Sequence, residues 1–145
     1  MTLQQLLISQ RYVVIPLLIT PTQHLQLSAK INGIEGRFIL DTGASNTCVG
    51  MEHIVYFDLD TKFSEIKATG AGSSDIETLL SVRNHLKIGT WEMKRTPLVL
   101  FDLTHVNAAL IHHNAEPVHG IIGADILKKG KAVINYPKKK LYLKL

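Results

Sequence analysis

The chain has 145 residues, 46% hydrophobic and 19% charged, which suits one domain with a real core and excludes a disordered chain. Its single cysteine, Cys48, excludes an intrachain disulfide, and its net charge of +4 is uneven, because residues 128–145 hold seven lysines and no acid. The first ten residues carry no basic group and Pro16 interrupts the apolar stretch 12–19, so neither a signal peptide nor a membrane span is expected, and the protein reads as soluble and cytoplasmic.

In chain order, residues 12–20 predict a strand ending at Pro21. Leu25, Leu27, Ala29 and Ile31 alternate with Gln26, Ser28 and Lys30, the period of a half-buried strand. Asn32-Gly33 then signals a hairpin, and the return strand 36–40 delivers Asp41. A short strand over 47–49 and a helical turn over 52–57 follow. Residues 63–69 and 76–82 predict a long hairpin around Gly70-Ala71-Gly72-Ser73-Ser74, and residues 86–88 and 92–95 a second one around Gly89-Thr90. Residues 97–101 read as an apolar strand and 104–117 as irregular. Gly120-Ile121-Ile122-Gly123 reads as a buried run, and 124–129 as a short helix stopped by Gly130. Residues 132–136 and 140–145 close the chain as a hairpin. The expectation is an all-β domain with one short helix near the C-terminus.

The residues that carry chemistry lie where the apolar Phe38-Ile39-Leu40 runs into Asp41-Thr42-Gly43-Ala44-Ser45. A carboxylate ending an apolar strand, on a loop tightened by glycine, is expected to be poorly solvated and aimed. Taken alone, Asp-Thr-Gly marks a turn as readily as a catalytic loop. Two carboxylates about 3 Å apart cannot both ionise and so share a proton. The ionised one can take a proton from water as it attacks a peptide carbonyl while the other protonates that carbonyl, with no metal and no covalent intermediate. Asp58, Asp60, Asp75, Asp102 and Asp125 are all followed by something other than Thr-Gly, so one chain cannot assemble the pair. A two-fold homodimer can, by bringing Asp41 of each copy to its axis.

Other groups attract blander readings. His112, His113, Glu116 and His119 read as a solvated loop rather than a zinc site, and Cys48 as a packed strand residue rather than a nucleophile. Gly70-Ala71-Gly72 lacks the lysine and helix of a phosphate loop. The lysine-rich end reads as a solvated turn and edge strand, with nucleic-acid contact as the lesser alternative.

The run Phe38 to Ser45 resembles the active-site loop of the retropepsin-like aspartic peptidases. About 80 residues later, Gly120-Ile121-Ile122-Gly123-Ala124-Asp125-Ile126-Leu127 resembles that family's apolar-apolar-glycine signature and the helix after it. The closing segment 132–145 is similar to that of single-domain, bacterial-type members. The resemblance implies a closed or partly open β-barrel of the acid-protease kind over residues 25–145. Residues 1–24 are then an N-terminal strand that contacts a dimer partner, or else a pro-segment. It implies an aspartic endopeptidase with Asp41 catalytic and with Thr42, Gly43, Ala44 and Ser45 supporting the acid, Ser45 by a hydrogen bond near the carboxylate. Ile121, Ile122 and Gly123 form buried scaffold behind the loop, out of reach of substrate. Thr69, Gly70, Ala71, Gly72 and Ser73 fall at the flap, without the tyrosine of two-lobed enzymes or the Ile-Gly-Gly-Ile of retroviral ones. The terminal strand 140–145 either interleaves across a dimer or pairs within the chain. The implied partners are a second copy and a peptide or protein substrate, with no cofactor, metal, nucleic acid or membrane. The rival reading is the same dimeric fold used as a binding or scaffolding module with little or no proteolysis.

Overall fold

A computed structural model of the chain describes residues 1–63 and 77–145. Helix α1 (Leu3–Ser9), not among the expected elements, opens the chain. Its start is a capping box in which Gln5 N–H donates to Thr2 Oγ1 and Thr2 N–H to Gln5 Oε1. The stretch expected as one strand is two, β1 (Tyr12–Pro16) and β2 (Leu18–Ile19), which join different sheets. Leu17 between them is buried and donates its N–H to Lys139 O.

Strands β3 (Leu25–Ile31) and β4 (Ile34–Leu40) form the expected hairpin. Asn32 and Gly33 both take positive φ (53° and 83°), the conformation a two-residue hairpin turn requires. Then come β5 (Cys48–Gly50), a 3-10 turn (Met51–His53) that overlaps only the start of the helical turn expected over 52–57, and β6 (Lys62–Phe63). The strands β7 (Leu79–Ile88) and β8 (Trp91–Phe101) are longer than the separate pieces read from the sequence. Gly89 turns the chain between them at φ 59°. The expected flap residues Thr69, Gly70, Ala71, Gly72 and Ser73 lie outside the described residues. The strands leading to them do pair antiparallel, Lys62 with Leu80 and Phe63 with Leu79.

Residues 104–117 are not irregular throughout: Thr104–His112 is a helix, α2. Asp102 supports its start by accepting from the Thr104 N–H at 2.8 Å and from the Thr104 hydroxyl. After it come β9 (Gly120–Ile122), the expected helix α3 (Ala124–Lys129), and the closing strands β10 (Val133–Asn135) and β11 (Lys140–Lys144).

The small sheet has the order β1-β11-β10, and the large one β2-β3-β4-β9-β5-β8-β7-β6. Because β7 also pairs back onto β3, Lys30 with Lys87 and Ile31 with Leu86, six strands close into a barrel. Phe38, Leu40, Val49, Leu86, Leu98, Leu100 and Ile122 fill its interior, and Leu141 and Leu143 of the small sheet join the same core.

On β4, β5, β8 and β9 the alternate residues Ile39, Cys48, Val99, Phe101 and Ile121 point the other way and are apolar too. Helix α2 covers them: Val106 packs against both outer clusters and Leu110 is buried among Ile39, Ala115 and Val118. Strands buried on both faces read as continuous apolar runs rather than alternations, as 38–40, 97–101 and 120–122 do.

At the N-terminal end of the β4–β9 ladder sits a cluster of rings. His119 lies 4.7 Å from the His53 ring and stacks on Tyr56 at 5.2 Å, apart from His112 and His113 at the end of α2. His119 Nδ1 accepts the Arg37 N–H at 2.9 Å, and the His119 N–H donates to Arg37 O at 2.8 Å. Burial, then the His53 and Arg37 charges, hold the His119 imidazole below its usual range, against a smaller pull from Glu52.

Two outcomes follow from these contacts. A Cβ on Gly120 lies 2.1 Å from the backbone oxygen of Cys48, which cannot step aside. Gly120→Ala should therefore lower stability in urea denaturation by about 3 kcal/mol or more; a change under about 1 kcal/mol contradicts the packing. For His119, a depressed folded value means the unfolded chain binds the proton more readily. Its contribution is present above the ordinary value of about 6.5 and is lost as pH falls below it. Wild type should lose more stability than His119→Asn between about pH 7 and about pH 5, measured by parallel denaturant titrations.

Candidate active site

The acidic loop leaves β4 and enters β5, and β9 lies between those two strands. It runs parallel to β4, with Leu40 opposite Ile122, and antiparallel to β5, with Cys48 opposite Ile121. The loop must therefore arch over the end of β9. The ladder runs on into it, since Asp41 N–H donates to Ile122 O at 3.0 Å. At the crest Ala124 N–H donates to Ala44 O at 2.7 Å, and a Cβ on Gly123 would lie 2.7 Å from that same oxygen. The glycine at 123 is what lets the two segments approach.

Thr47 anchors the returning side. It is fully buried, and its Oγ1 accepts the Gly123 N–H at 2.9 Å and donates to Asp125 Oδ1 at 2.7 Å. Its own N–H donates to Asp125 Oδ2 at 3.0 Å, and its carbonyl accepts from Val99 N–H at 3.1 Å. Asp125 Oδ1 also takes the Ile126 N–H at 2.9 Å, placing this carboxylate in the first turn of α3. Every polar group of Thr47 is thereby satisfied without water. Thr47 and Asp125 are the residues whose role sequence reasoning missed, the first read as a strand residue and the second as an acid lacking Thr-Gly and a member of the helix after Gly123. The available signal was an acid directly after Gly123-Ala124, at the head of a short helix.

So held, the loop presents Asp41 outward. Asp41 Oδ1 accepts the Gly43 N–H at 2.9 Å, and Asp41 O accepts from Ala44 N–H at 3.2 Å. Among the described residues it is Gly43, not Ser45, that bonds the carboxylate. The sequence suggested a poorly solvated acid; in the single chain Asp41, Thr42, Gly43 and Ser45 are exposed and Ala44 is half-buried, because the strand end opens onto an uncovered face. Behind the loop, Ile122 and Gly123 are buried while Ile121 is half-buried toward the α2 side. Cys48 is also buried there. Burial pushes its thiol up to about 12, with the Asp125 and Asp41 charges adding to the effect, so it has no thiolate to offer.

Beside Asp41 and Thr42 a recess of about 270 Å³ opens. The buried side chains Leu25, Ile39 and Leu40 line it together with the exposed Gln23, His24 and Tyr136. Asp41 is its single acid among the described residues. A larger groove of about 560 Å³ runs between β1 and β3 and includes no residue of the acidic loop. No described helix is long and apolar enough to cross a membrane.

Residues 27–126 match the family described as "Aspartyl protease". A search of curated proteins gives no match. Among solved structures the chain is similar to a retropepsin-like aspartic protease from Rickettsia conorii, with 19% identity over 91% of this chain and 89% of that one, at a TM-score of 0.63. It is similar to the EIAV protease in complex with the inhibitor HBY-793, with 21% identity, 77% and 92% coverage and a TM-score of 0.59. It is also similar to the retroviral protease-like domain of Ddi1 from Leishmania major, at 14% identity, 83% and 87% coverage and a TM-score of 0.56. The barrel is thus a retropepsin-like fold.

Removing the anchor tests its weight. Asp125→Ala strips acceptors from the Thr47 N–H and hydroxyl, leaving buried donors unpaired, and should lower stability by about 2–4 kcal/mol in chemical denaturation. Asp125→Asn keeps one acceptor oxygen and should fall between Ala and wild type; equal stability of all three contradicts the assigned role.

Proposed function

This chain belongs to the aspartyl protease family, and from that premise we propose that it is an endopeptidase whose working unit is a homodimer. Asp41 of each copy meets the other at the two-fold axis, close enough for the pair to hold one proton between them. The observation that carries this reading is a rigidly held, exposed Asp41 with no second carboxylate lining its recess among the described residues. One chain offers half of an acid pair, and symmetry supplies the other half.

In the reaction, the ionised Asp41 takes a proton from a water as its oxygen bonds to the scissile carbonyl carbon. The protonated Asp41 gives its proton to the carbonyl oxygen, forming a neutral gem-diol. As the C–N bond breaks, one diol hydroxyl surrenders its proton to a carboxylate, while the proton held on the other acid passes to the departing amine. The pair is left holding one proton, as it began. Thr42, exposed beside Asp41, ties the two loops across the axis. Gly43 lets the substrate approach the backbone, with Ala44 and Ser45 continuing the cleft. Ile122 and Gly123 serve as scaffold behind the loop, with Ile121 partly exposed beside them. Residues 1–24 belong to the folded unit rather than to a removable segment, a reading supported by β1 pairing with β11 over five residues.

Asp41→Asn should keep the dimer in sedimentation analysis and lower cleavage of a diverse peptide library by at least about 10²–10⁴-fold. Wild-type cleavage between about pH 3 and about pH 7 should be blocked by a statine-type inhibitor, and activity per chain should fall on dilution into the monomer range. An Asn variant cleaving at the wild-type rate, or a fully active monomer, overturns the proposal. A dimer that cleaves nothing under any condition is instead a binding module.

A further inference from the structure

One residue at the mouth of the recess is fixed at both its backbone and its ring. Thr20 N–H donates to His24 O at 2.9 Å, and His24 N–H donates to Thr20 Oγ1 at 3.1 Å. Thr20 Oγ1 lies 2.8 Å from Thr22 Oγ1, which lies 2.7 Å from His24 Nδ1. Since the Thr20 oxygen already accepts from His24 N–H, its proton is available to Thr22, and that of Thr22 to Nδ1. This assignment, drawn from the bonding pattern, leaves the imidazole proton on Nε2. Nε2 has no partner among the described residues. Gln23 sits at φ 65° in the same turn, a conformation L residues seldom adopt, so the turn that aims His24 is kept at a local cost.

At about 270 Å³ the recess is smaller than the ~300 Å³ at which pockets for whole ligands begin, and suits one side chain. Leu25, Ile39 and Leu40 offer a surface for an aliphatic stem, and His24 and Tyr136 offer polar partners for its tip. A carboxylate tip would bring a second negative charge beside Asp41. We infer that this recess is a specificity subsite for an uncharged carboxamide side chain, glutamine above all. His24 Nε2 donates to the carboxamide oxygen, and the Tyr136 hydroxyl accepts from its amide nitrogen. The inference rests on the peptidase reading and names the side chain that such a peptidase selects.

The test uses peptides differing only in Gln, Glu or Leu, placed in turn at each position around the scissile bond. At one position Gln should be preferred over both others. His24→Ala should lower the Gln-over-Leu ratio of kcat/KM by about three- to tenfold, with the loss carried by KM. His24→Gln retains an N–H donor and should restore most of that ratio. Equal losses on Gln and Leu peptides, with cleavage still dependent on Asp41, overturn the subsite and leave the peptidase reading standing. If no peptide is cleaved, the peptidase reading fails and binding decides the subsite. In full-length Asp41→Asn protein, the His24 ring signals in NMR must then move more with the Gln peptide than with the Leu peptide, and equal or absent movement overturns it.

Discussion

The interaction on which this molecule turns is the bond from Gly123 N–H to the buried hydroxyl of Thr47, passed on to the Asp125 carboxylate. One such bond contributes only about 1 kcal/mol net. Its weight comes from the alternative, since a fully buried threonine with unpaired donors costs more than the bond returns. The two segments that meet here are 76 residues apart in the chain. Asp41 is thus held through its backbone, by its N–H on Ile122 O, while its carboxylate touches neither Thr47 nor Asp125 and bonds only the Gly43 N–H among the described residues.

Much of this could be read directly. The β3–β4 hairpin declared itself through strict alternation and Asn32-Gly33, and α3 through its length and its stop at Gly130. The end of β4 placed Asp41 correctly at a strand terminus. What stayed hidden was long-range or weakly patterned. Barrel closure, Lys30 against Lys87, leaves no trace in local sequence. Helix α2 buries Leu110 fully and Val106 in part, within a stretch holding two further alanines and two histidines, so its period is faint. The indirect sign was there nonetheless: four strands with apolar residues on both faces require a cover on the outside. The Thr47–Asp125 pairing depends on the register of β5 and β9, which neither segment specifies alone.

At the site itself, the exposure of Asp41 is where the chain considered singly departs from the poorly solvated acid its sequence suggests. The barrel strands find their cover in the barrel interior, α2 or the small sheet, while Leu18 and Ile19 of β2, Val55 and Ile111 stay exposed. The loop that follows β4 is fixed in position and left bare. A surface so rigid costs little entropy to dock, because its groups are already ordered before any partner arrives. The proposed assembly therefore joins two prepared halves rather than shaping them on contact.

The β4–β9 ladder also links two demands on protons. Near its C-terminal end the proposed acid pair must retain one; at its N-terminal end His119 accepts the Arg37 amide only while Nδ1 is bare. Scarcity of protons silences the chemistry, and abundance undermines the footing beneath it. Both demands are met together only where the proposed pair keeps its proton and Nδ1 of His119 stays bare.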